Sequence, residues 1–262
     1  MKVGLITLGC DKNTVDNEYL AGLIEQHKGE FVFLEDASNL DDLDAVVVTT
    51  CGFTCDAKEQ SVETLVHIAD AKKSTGRPLL YVAGCLSQRY AGDLLDELPE
   101  IDGLVGVGQF ERLADMIVGH HQERNAANVA PLVSIDHYLP RRRSSNKPTA
   151  FLKIADGCNH ACSFCSIPMM KGPLRSVPQD ILLKEARALL DDGVKELVLV
   201  AQDISVYGRD HKGGTGLPHL LRELCALDGD FWVRCMYCYP NGVTNKLIDI
   251  MASEPKIVPY LD

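Results

Sequence analysis

The sequence predicts an α/β protein whose N-terminal part is an open parallel sheet covered by helices. Short apolar runs at residues 2–8, 44–50 and 78–83 read as strands, and segments with helical spacing of apolar residues separate them. Strands that alternate with helices are typical of a parallel sheet with helices on both faces. The run DAVVVTT at 44–50 is rich in β-branched residues, which indicates an interior strand.

The composition is that of a globular protein. Of 262 residues, 46% are hydrophobic, and no apolar run approaches the ~20 residues that a membrane span needs. The N-terminus MKVGLITLGCDKN shows no signal-peptide pattern, so we expect a cytoplasmic location and no membrane association. The net charge of −11 argues against a general nucleic-acid binder, and we expect no strong nucleic-acid footprint. Ten cysteines in a cytosolic chain indicate metal or redox chemistry.

Three cysteines of the N-terminal part share one sequence context. Cys10, Cys51 and Cys85 each stand at the carboxyl end of a predicted strand beside a glycine. Because ligands of open α/β sheets bind outside the carboxyl ends of the strands, we expect these cysteines to converge at one edge. The pattern predicts a three-thiolate iron–sulfur site with one open iron. The alternative is that they are small buried residues of the core.

A second set of three cysteines lies within eight residues. Cys158, Cys162 and Cys165 form a C-x₃-C-x₂-C pattern directly after a predicted strand. Three thiolates at this spacing can bind three irons of a 4Fe-4S cubane and leave the fourth iron open to a small molecule. A zinc site is the alternative, but it needs a fourth ligand, and only His160 lies inside the loop.

The organisation of the chain changes after residue 121. We predict a first domain over 1–121, a linker over 122–148 and a second α/β domain over 149–262. The linker carries three arginines at 141–143, which we interpret as part of a solvated tether. In the second domain we predict strands over 230–238 and 256–261, and Cys235 and Cys238 lie within the first of these. Alternation along a strand sends residues three apart to opposite faces, so we expect no shared metal.

The cysteine loop carries a family resemblance. The run CNHACSFCSIPMMKG at 158–172 resembles the cluster loop of radical S-adenosylmethionine (SAM) enzymes, in particular the methylthiotransferases. The motifs around Cys10, Cys51 and Cys85 are similar to those of the same family. The resemblance implies that residues 149–262 form a partial radical SAM (β/α) barrel. It also implies two 4Fe-4S clusters, the one at the N-terminal cysteines being auxiliary, and SAM bound at the open iron of the other.

The resemblance also implies an activity and further site residues. Phe164 would flank the adenine of SAM, with a packing role as the alternative, and Gln202 and Asp203 would lie at the barrel mouth as cofactor-binding residues. The motifs look most like the branch that methylthiolates the β-carbon of an aspartate in ribosomal protein S-twelve of the small ribosomal subunit. An electron donor such as flavodoxin or ferredoxin would be a partner. The alternatives are a tRNA adenosine methylthiotransferase and a non-catalytic iron–sulfur protein.

The length of the second domain predicts an incomplete barrel. An eight-unit α/β barrel takes ~250 residues, so residues 149–262 have room for roughly three to four units. The family also carries a small C-terminal β-barrel domain without a counterpart here. We therefore expect a truncated sequence whose catalysis is weak or absent.

Overall fold

The chain divides into two compact units. The structure is a computed structural model that describes residues 1–119, 129, 135–211 and 213–262. The first unit contains residues 1–119 together with Leu139–Ser144 and Met169–Lys171, and the second contains the remaining described residues from 135 onward. The domain boundaries expected near residues 121 and 148 stay a prediction, because the predicted linker lies partly outside the described residues.

The first unit is a parallel sheet of five strands in the order β2-β1-β3-β4-β5. Its elements are β1 (Lys2–Thr7), α1 (Asp11–Gln26), β2 (Glu30–Leu34), β3 (Ala45–Thr50), α2 (Cys55–Thr75), β4 (Leu79–Gly84), α3 (Cys85–Glu97), β5 (Ile101–Leu104) and α4 (Phe110–Val118). All six residues of β3 are buried, as expected for a central strand covered on both faces. The predicted open parallel α/β fold is confirmed.

The second unit also has parallel strands with helices between them. Its main sheet has the order β10-β9-β6, and a two-stranded antiparallel ladder pairs β7 with β8. Its elements are β6 (Thr149–Lys153), β7 (Ala155–Asp156), α5 (Ile167–Lys171, whose last three residues group with the first unit), β8 (Arg175–Ser176), α6 (Gln179–Asp191), β9 (Glu196–Val200), α7 (Gly216–Cys225), β10 (Trp232–Cys235) and α8 (Asn245–Ser253).

Two strand predictions in the second unit are corrected. The strand expected over 230–238 is shorter, because β10 ends at Cys235 and Tyr237 has a left-handed backbone, with φ of 64°. The strand expected over 256–261 is reduced to a single parallel bridge between Val233 and Ile257. In the described part of the chain, no helix is both long enough and apolar enough to cross a membrane.

The segment Leu139–Ser144, which carries the three arginines and groups with the first unit, packs against α1. The Arg141 side chain is 4% exposed, and its Nη2 lies 2.5 Å from Oε2 of Glu18, whose side chain is 6% exposed. Ser144 donates to Glu18 Oε1 from its backbone nitrogen, at 2.8 Å, and from its hydroxyl, at 2.7 Å. A Cβ on Gly22 would lie 2.5 Å from the carbonyl of Pro140, so helix and segment touch backbone to backbone. The interpretation of the arginine run as a solvated tether is therefore wrong for Arg141.

We expect Arg141→Ala to destabilise the first unit strongly. Removing one partner of a buried ion pair leaves the other charge buried, which costs about 3–5 kcal/mol. Arg142→Ala is the matched control, because Arg142 and its partner Glu25 are 55% and 47% exposed. Such an exposed pair contributes about 0–1 kcal/mol. The free energy of unfolding in urea measures both effects, and equal losses for the two variants would contradict the docked arrangement.

Candidate metal centres

The N-terminal cysteines lie at one edge of the first sheet. Cys10 is the N-cap of α1 after β1, Cys51 follows β3, and Cys85 is the first residue of α3 after β4. Because β1, β3 and β4 are neighbours in a parallel sheet, their carboxyl ends lie side by side. Cys51 and Cys85 are buried, whereas Cys10 is half-buried.

Close backbone packing brings the three cysteine loops together. Gly9 has a φ of +92°, and a Cβ placed on it would lie 2.9 Å from the Sγ of Cys51. A Cβ on Gly52 would lie 3.1 Å from the carbonyl of Cys85. The loop of Cys51 thus touches the loops of both other cysteines, and side chains at these glycines would separate them.

Buried polar side chains fix the same loops. Asn13 Nδ2 donates to the carbonyl of Leu8 at 2.7 Å and to that of Thr50 at 3.3 Å, which joins the ends of β1 and β3. Thr50 Oγ1 donates to the carbonyl of Ala83 at 2.7 Å, which joins β3 to β4. The bonds from Asn13 to Thr50 and from Thr50 to Ala83 connect loops that carry different cysteines.

Ser61 holds Cys51 from the first turns of α2. Its Oγ accepts a hydrogen bond from the Cys51 nitrogen at 3.1 Å and lies 3.2 Å from the Cys51 carbonyl, with the side chain fully buried. Sequence reasoning missed Ser61, because it stands ten residues from the cysteine inside a helix. The only signal was a serine on the otherwise apolar side of that helix.

The residues of this edge fit an iron–sulfur cluster better than a single ion. Cys10 and Cys85 stand at helix N-termini, where the helix dipole favours negatively charged ligands. Asn13 Oδ1 is buried and accepts no hydrogen bond from the described residues. Among those residues, no three His, Cys, Asp or Glu side chains converge on one metal ion. A cubane needs no such convergence, since each thiolate binds a different iron.

The second cysteine set lies on a loop after β7. Gly157 has a φ of +78°, and a Cβ on it would lie 2.1 Å from the carbonyl oxygen of Pro173, so this turn requires glycine. The Cys158 nitrogen donates to the carbonyl of Gly172 at 3.1 Å, and the Cys165 nitrogen donates to that of Cys162 at 3.1 Å. All three thiols are half-buried, which leaves them accessible to a cluster and to a small ligand.

Burial raises the pKa of the Cys158 thiol. The backbone N–H of His160 opposes this shift, because it donates to Cys158 Sγ at 3.4 Å and stabilises the thiolate. A cysteine binds metal as the thiolate, so iron binding at this loop releases a proton. The N–H of His160 lowers the cost of that step.

The predicted cofactor-binding residues occupy different environments. Asp203 is 3% exposed, and its Oδ1 accepts from the nitrogen of Ser205 at 2.9 Å. Gln202 Nε2 donates to Asp156 Oδ1 at 3.1 Å, while its Oε1 is buried and receives no hydrogen bond within the described ranges. Phe164 is 88% exposed, so its ring is open to a ligand. Gln202 and Phe164 thus offer contacts that a bound molecule could use, whereas Asp203 is engaged within the protein.

Sequence reasoning missed a buried lysine near the cluster loop. Lys153, the last residue of β6, is 1% exposed and lies 3.5 Å from the carboxylate of Asp156. Asp156 in turn accepts from Gln202, so a charged network lies behind the loop. The available signal was a lysine within the apolar run FLKIA.

We still interpret Cys235 and Cys238 as packing residues, but the reason is burial and not alternation along a strand. Cys238 lies beyond the end of β10, so alternation along a strand does not separate the two thiols. Both are buried in the hydrophobic core, and burial raises the pKa of Cys235 to about 12 and that of Cys238 to about 11. Such thiols stay protonated at neutral pH, and the thiolate is the metal ligand.

Family models match both units. Residues 2–106 match Uncharacterized protein family UPF0004, and residues 152–258 match the Radical SAM superfamily. The second unit is therefore a radical SAM domain, and membership of that superfamily implies a 4Fe-4S cluster and SAM.

Known relatives define the family more closely. The chain is 44% identical over 263 residues to ribosomal protein uS12 methylthiotransferase RimO of Geotalea uraniireducens, covering 100% of the chain and 58% of the relative. It is 43% identical to the protein of the same name from Lachnoclostridium phytofermentans, of which it covers 59%. The resemblance to radical SAM methylthiotransferases that the motifs predicted is confirmed over the whole chain. It spans less than two thirds of the length of these curated relatives.

Solved structures support the fold alone. The radical S-adenosylmethionine methyltransferase TsrM of Kitasatospora setae matches with a TM-score of 0.64 and 15% identity, over 96% of this chain and 58% of that one. The cobalamin-dependent S-adenosylmethionine radical enzyme OxsB matches with a TM-score of 0.63 and 14% identity, over 96% of this chain and 41% of that one. The predicted fold class is confirmed by these likenesses.

We expect Ser61→Ala to loosen the N-terminal cysteine site. The variant leaves buried backbone groups of Cys51 without their partner, which costs about 1–3 kcal/mol of unfolding free energy. After anaerobic reconstitution, iron bound at this site should fall. Ser74→Ala is the control on the same helix, because Ser74 is exposed and bonds only to its own turn at Ala71. Retention of all iron by Ser61→Ala would show that Ser61 does not support the site.

We expect Cys235 and Cys238 to resist thiol reagents at neutral pH. At pH 8, a thiol whose pKa is about 11 is deprotonated in roughly one molecule in a thousand. Labelling should rise only as the pH approaches 11. Cys55, which is exposed at the start of α2, is the internal control that reacts first. Mass spectrometry of the labelled peptides measures the order, and equal labelling of Cys238 and Cys55 at pH 8 would refute it.

Proposed function

We propose that this chain acts as a radical SAM methylthiotransferase that adds a methylthio group to the β-carbon of an aspartate in ribosomal protein uS12. The observation that carries this proposal is the 44% identity to a uS12 methylthiotransferase over the whole chain, which includes both cysteine sets. Two open-iron sites in one chain suit a reaction that needs both a radical source and a sulfur source.

The loop cysteines Cys158, Cys162 and Cys165 would hold the 4Fe-4S cluster that binds SAM. When bound, the cluster and SAM supply a 5′-deoxyadenosyl radical, which can remove hydrogen from an unactivated carbon. This step is carried by the cofactors and not by protein side chains. Gln202 offers a buried acceptor to a donor group of SAM, and Phe164 offers a ring for its adenine. Asp203 lies beside Gln202, and its carboxylate, which is engaged within the protein, would support this site without contacting SAM.

The N-terminal cysteines Cys10, Cys51 and Cys85 would hold an auxiliary 4Fe-4S cluster that supplies the methylated sulfur. The packed glycines and the polar side chains of Asn13 and Ser61 support this assignment, because they hold three distant segments at one edge. SAM would serve twice, as methyl donor and as radical source.

The proposed partners follow from the substrate and the cofactors. Ribosomal protein uS12, free or in the small ribosomal subunit, would be the substrate, and a flavodoxin or ferredoxin would donate the electron. Both partners suit a cytoplasmic location. A tRNA adenosine substrate is less well supported, because the net charge of −11 disfavours a polyanionic partner.

Iron analysis of cysteine variants tests the two-cluster proposal. We expect the anaerobically reconstituted chain to bind about eight irons, as two cubanes of four each. Replacing Cys158, Cys162 and Cys165 together by alanine should leave about four irons, and replacing Cys10, Cys51 and Cys85 should do the same. Loss of all iron from either folded variant would contradict two independent sites.

Product analysis tests the activity. Incubation with SAM, a reductant and uS12 should yield 5′-deoxyadenosine and a methylthiolated aspartate at no more than the weak level expected from the sequence, both detected by mass spectrometry. The triple-alanine loop variant, which lacks the SAM-binding cluster, should give neither. Modification of tRNA adenosine instead of uS12 would favour the tRNA branch.

A further inference from the structure

One buried carboxylate ties together the strand ends of the second unit. Asp203 follows β9, and its Oδ1 accepts from the backbone nitrogen of Ser205 at 2.9 Å and from that of Tyr239 at 3.2 Å. Tyr239 lies in the segment after β10, so one oxygen joins the carboxyl ends of two strands. The Asp203 side chain is 4% exposed, and such a desolvated charge requires donors on each of its oxygens.

The second oxygen of Asp203 binds the cysteine loop. His160, between Cys158 and Cys162, places its Nε2 2.7 Å from Asp203 Oδ2. A carboxylate only accepts, so Nε2 carries the proton of this bond. The ring of Tyr239 lies 4.5 Å from the imidazole, centroid to centroid, and borders it on one side.

The same residue also contacts a predicted cluster ligand through its backbone. The N–H of His160 donates to Cys158 Sγ at 3.4 Å. The neighbouring residues Asn159, Ala161, Ser163 and Phe164 are exposed, and Asn159 Oδ1 accepts from the Leu174 nitrogen at 2.9 Å. Within the described residues, the side chain of His160 links the segment between the first two cysteines to the buried carboxylate of Asp203.

We infer that His160 is a positioning residue for the radical SAM cluster, which it holds through its side-chain bond to Asp203. The inference rests on the proposed function, because it assumes a cluster at Cys158, Cys162 and Cys165. The bond fixes the backbone at residue 160 and keeps its N–H directed at the Cys158 sulfur. Hydrogen bonds to cluster sulfurs help to set the reduction potential, because they stabilise the extra negative charge of the reduced form.

Two amide variants of His160 test the inference. The amide nitrogen of glutamine reaches about as far as Nε2, so His160→Gln keeps the donor to Asp203. Asparagine is one methylene shorter, so His160→Asn keeps the polarity and loses the bond. His211→Ala is the control, because the His211 side chain in the same unit is 44% exposed and lies 3.7 Å from Asp210.

The measurements are iron release to a chelator and the reduction potential of the loop cluster, in the reconstituted chain. His160→Asn should release iron from this cluster roughly tenfold faster, the effect typical of losing an outer partner of a metal ligand. Its potential should shift to a more negative value, because the N–H···S bond is weakened. His160→Gln and His211→Ala should match the unsubstituted chain in both.

The outcomes separate this inference from the function on which it rests. If the unsubstituted chain assembles no cluster at the loop cysteines, the proposed function fails. If it assembles one and His160→Asn matches His160→Gln in release rate and potential, only the role of His160 is overturned. A faster release without a change in potential would likewise overturn the N–H···S part of the inference.

Discussion

Both cysteine sites depend on hydrogen bonding at the carboxyl ends of parallel strands. Where a strand ends, its last backbone N–H and C=O groups no longer pair with the neighbouring strand. Those that are buried need other hydrogen-bond partners. Asn13 meets this need in the first unit by binding the carbonyls of Leu8 and Thr50. Asp203 meets it in the second unit by accepting from Ser205 and Tyr239. In both cases the side chain that satisfies the backbone also fixes a loop that carries cysteine.

This arrangement explains why such different segments can form a rigid edge. An unsatisfied buried donor or acceptor costs about 1–3 kcal/mol, so each of these polar contacts resists a change in loop conformation. Close packing adds to the effect at Gly9 and Gly157, whose positive φ angles and lack of a Cβ allow one loop to lie against the next. A cluster site needs this order before iron arrives, because three thiols must face a common space.

The sequence predicted those features that depend on local composition. The strand at 44–50 was evident from its β-branched residues, and the strand-end cysteines followed from the alternation of strands and helices. The start of the first helix was less evident, because the helix begins at Asp11 after Cys10, which makes no side-chain cap bond. A cysteine in that position carries no capping signal.

Features that depend on distant partners could not be predicted. Arg141 belongs to an arginine run whose sequence indicates a solvated segment, and its burial depends on distant partners such as Glu18, 123 residues earlier. The end of β10 depends on a left-handed Tyr237, a conformation for which a non-glycine residue gives little local signal. The roles of Ser61 and His160 also required the fold, because their partners come from other segments.

The docked arginine segment has a consequence for the order in which the protein folds during synthesis. Helix α1 leaves the ribosome long before Arg141, since Glu18 and Arg141 are 123 residues apart. At about 5–20 residues per second, the Glu18 carboxylate waits roughly 6–25 s for its partner. Throughout that interval the surface of α1 that Leu139–Ser144 will cover is open to water or to a chaperone. The first unit therefore acquires its final packing only when translation has moved well past its last helix.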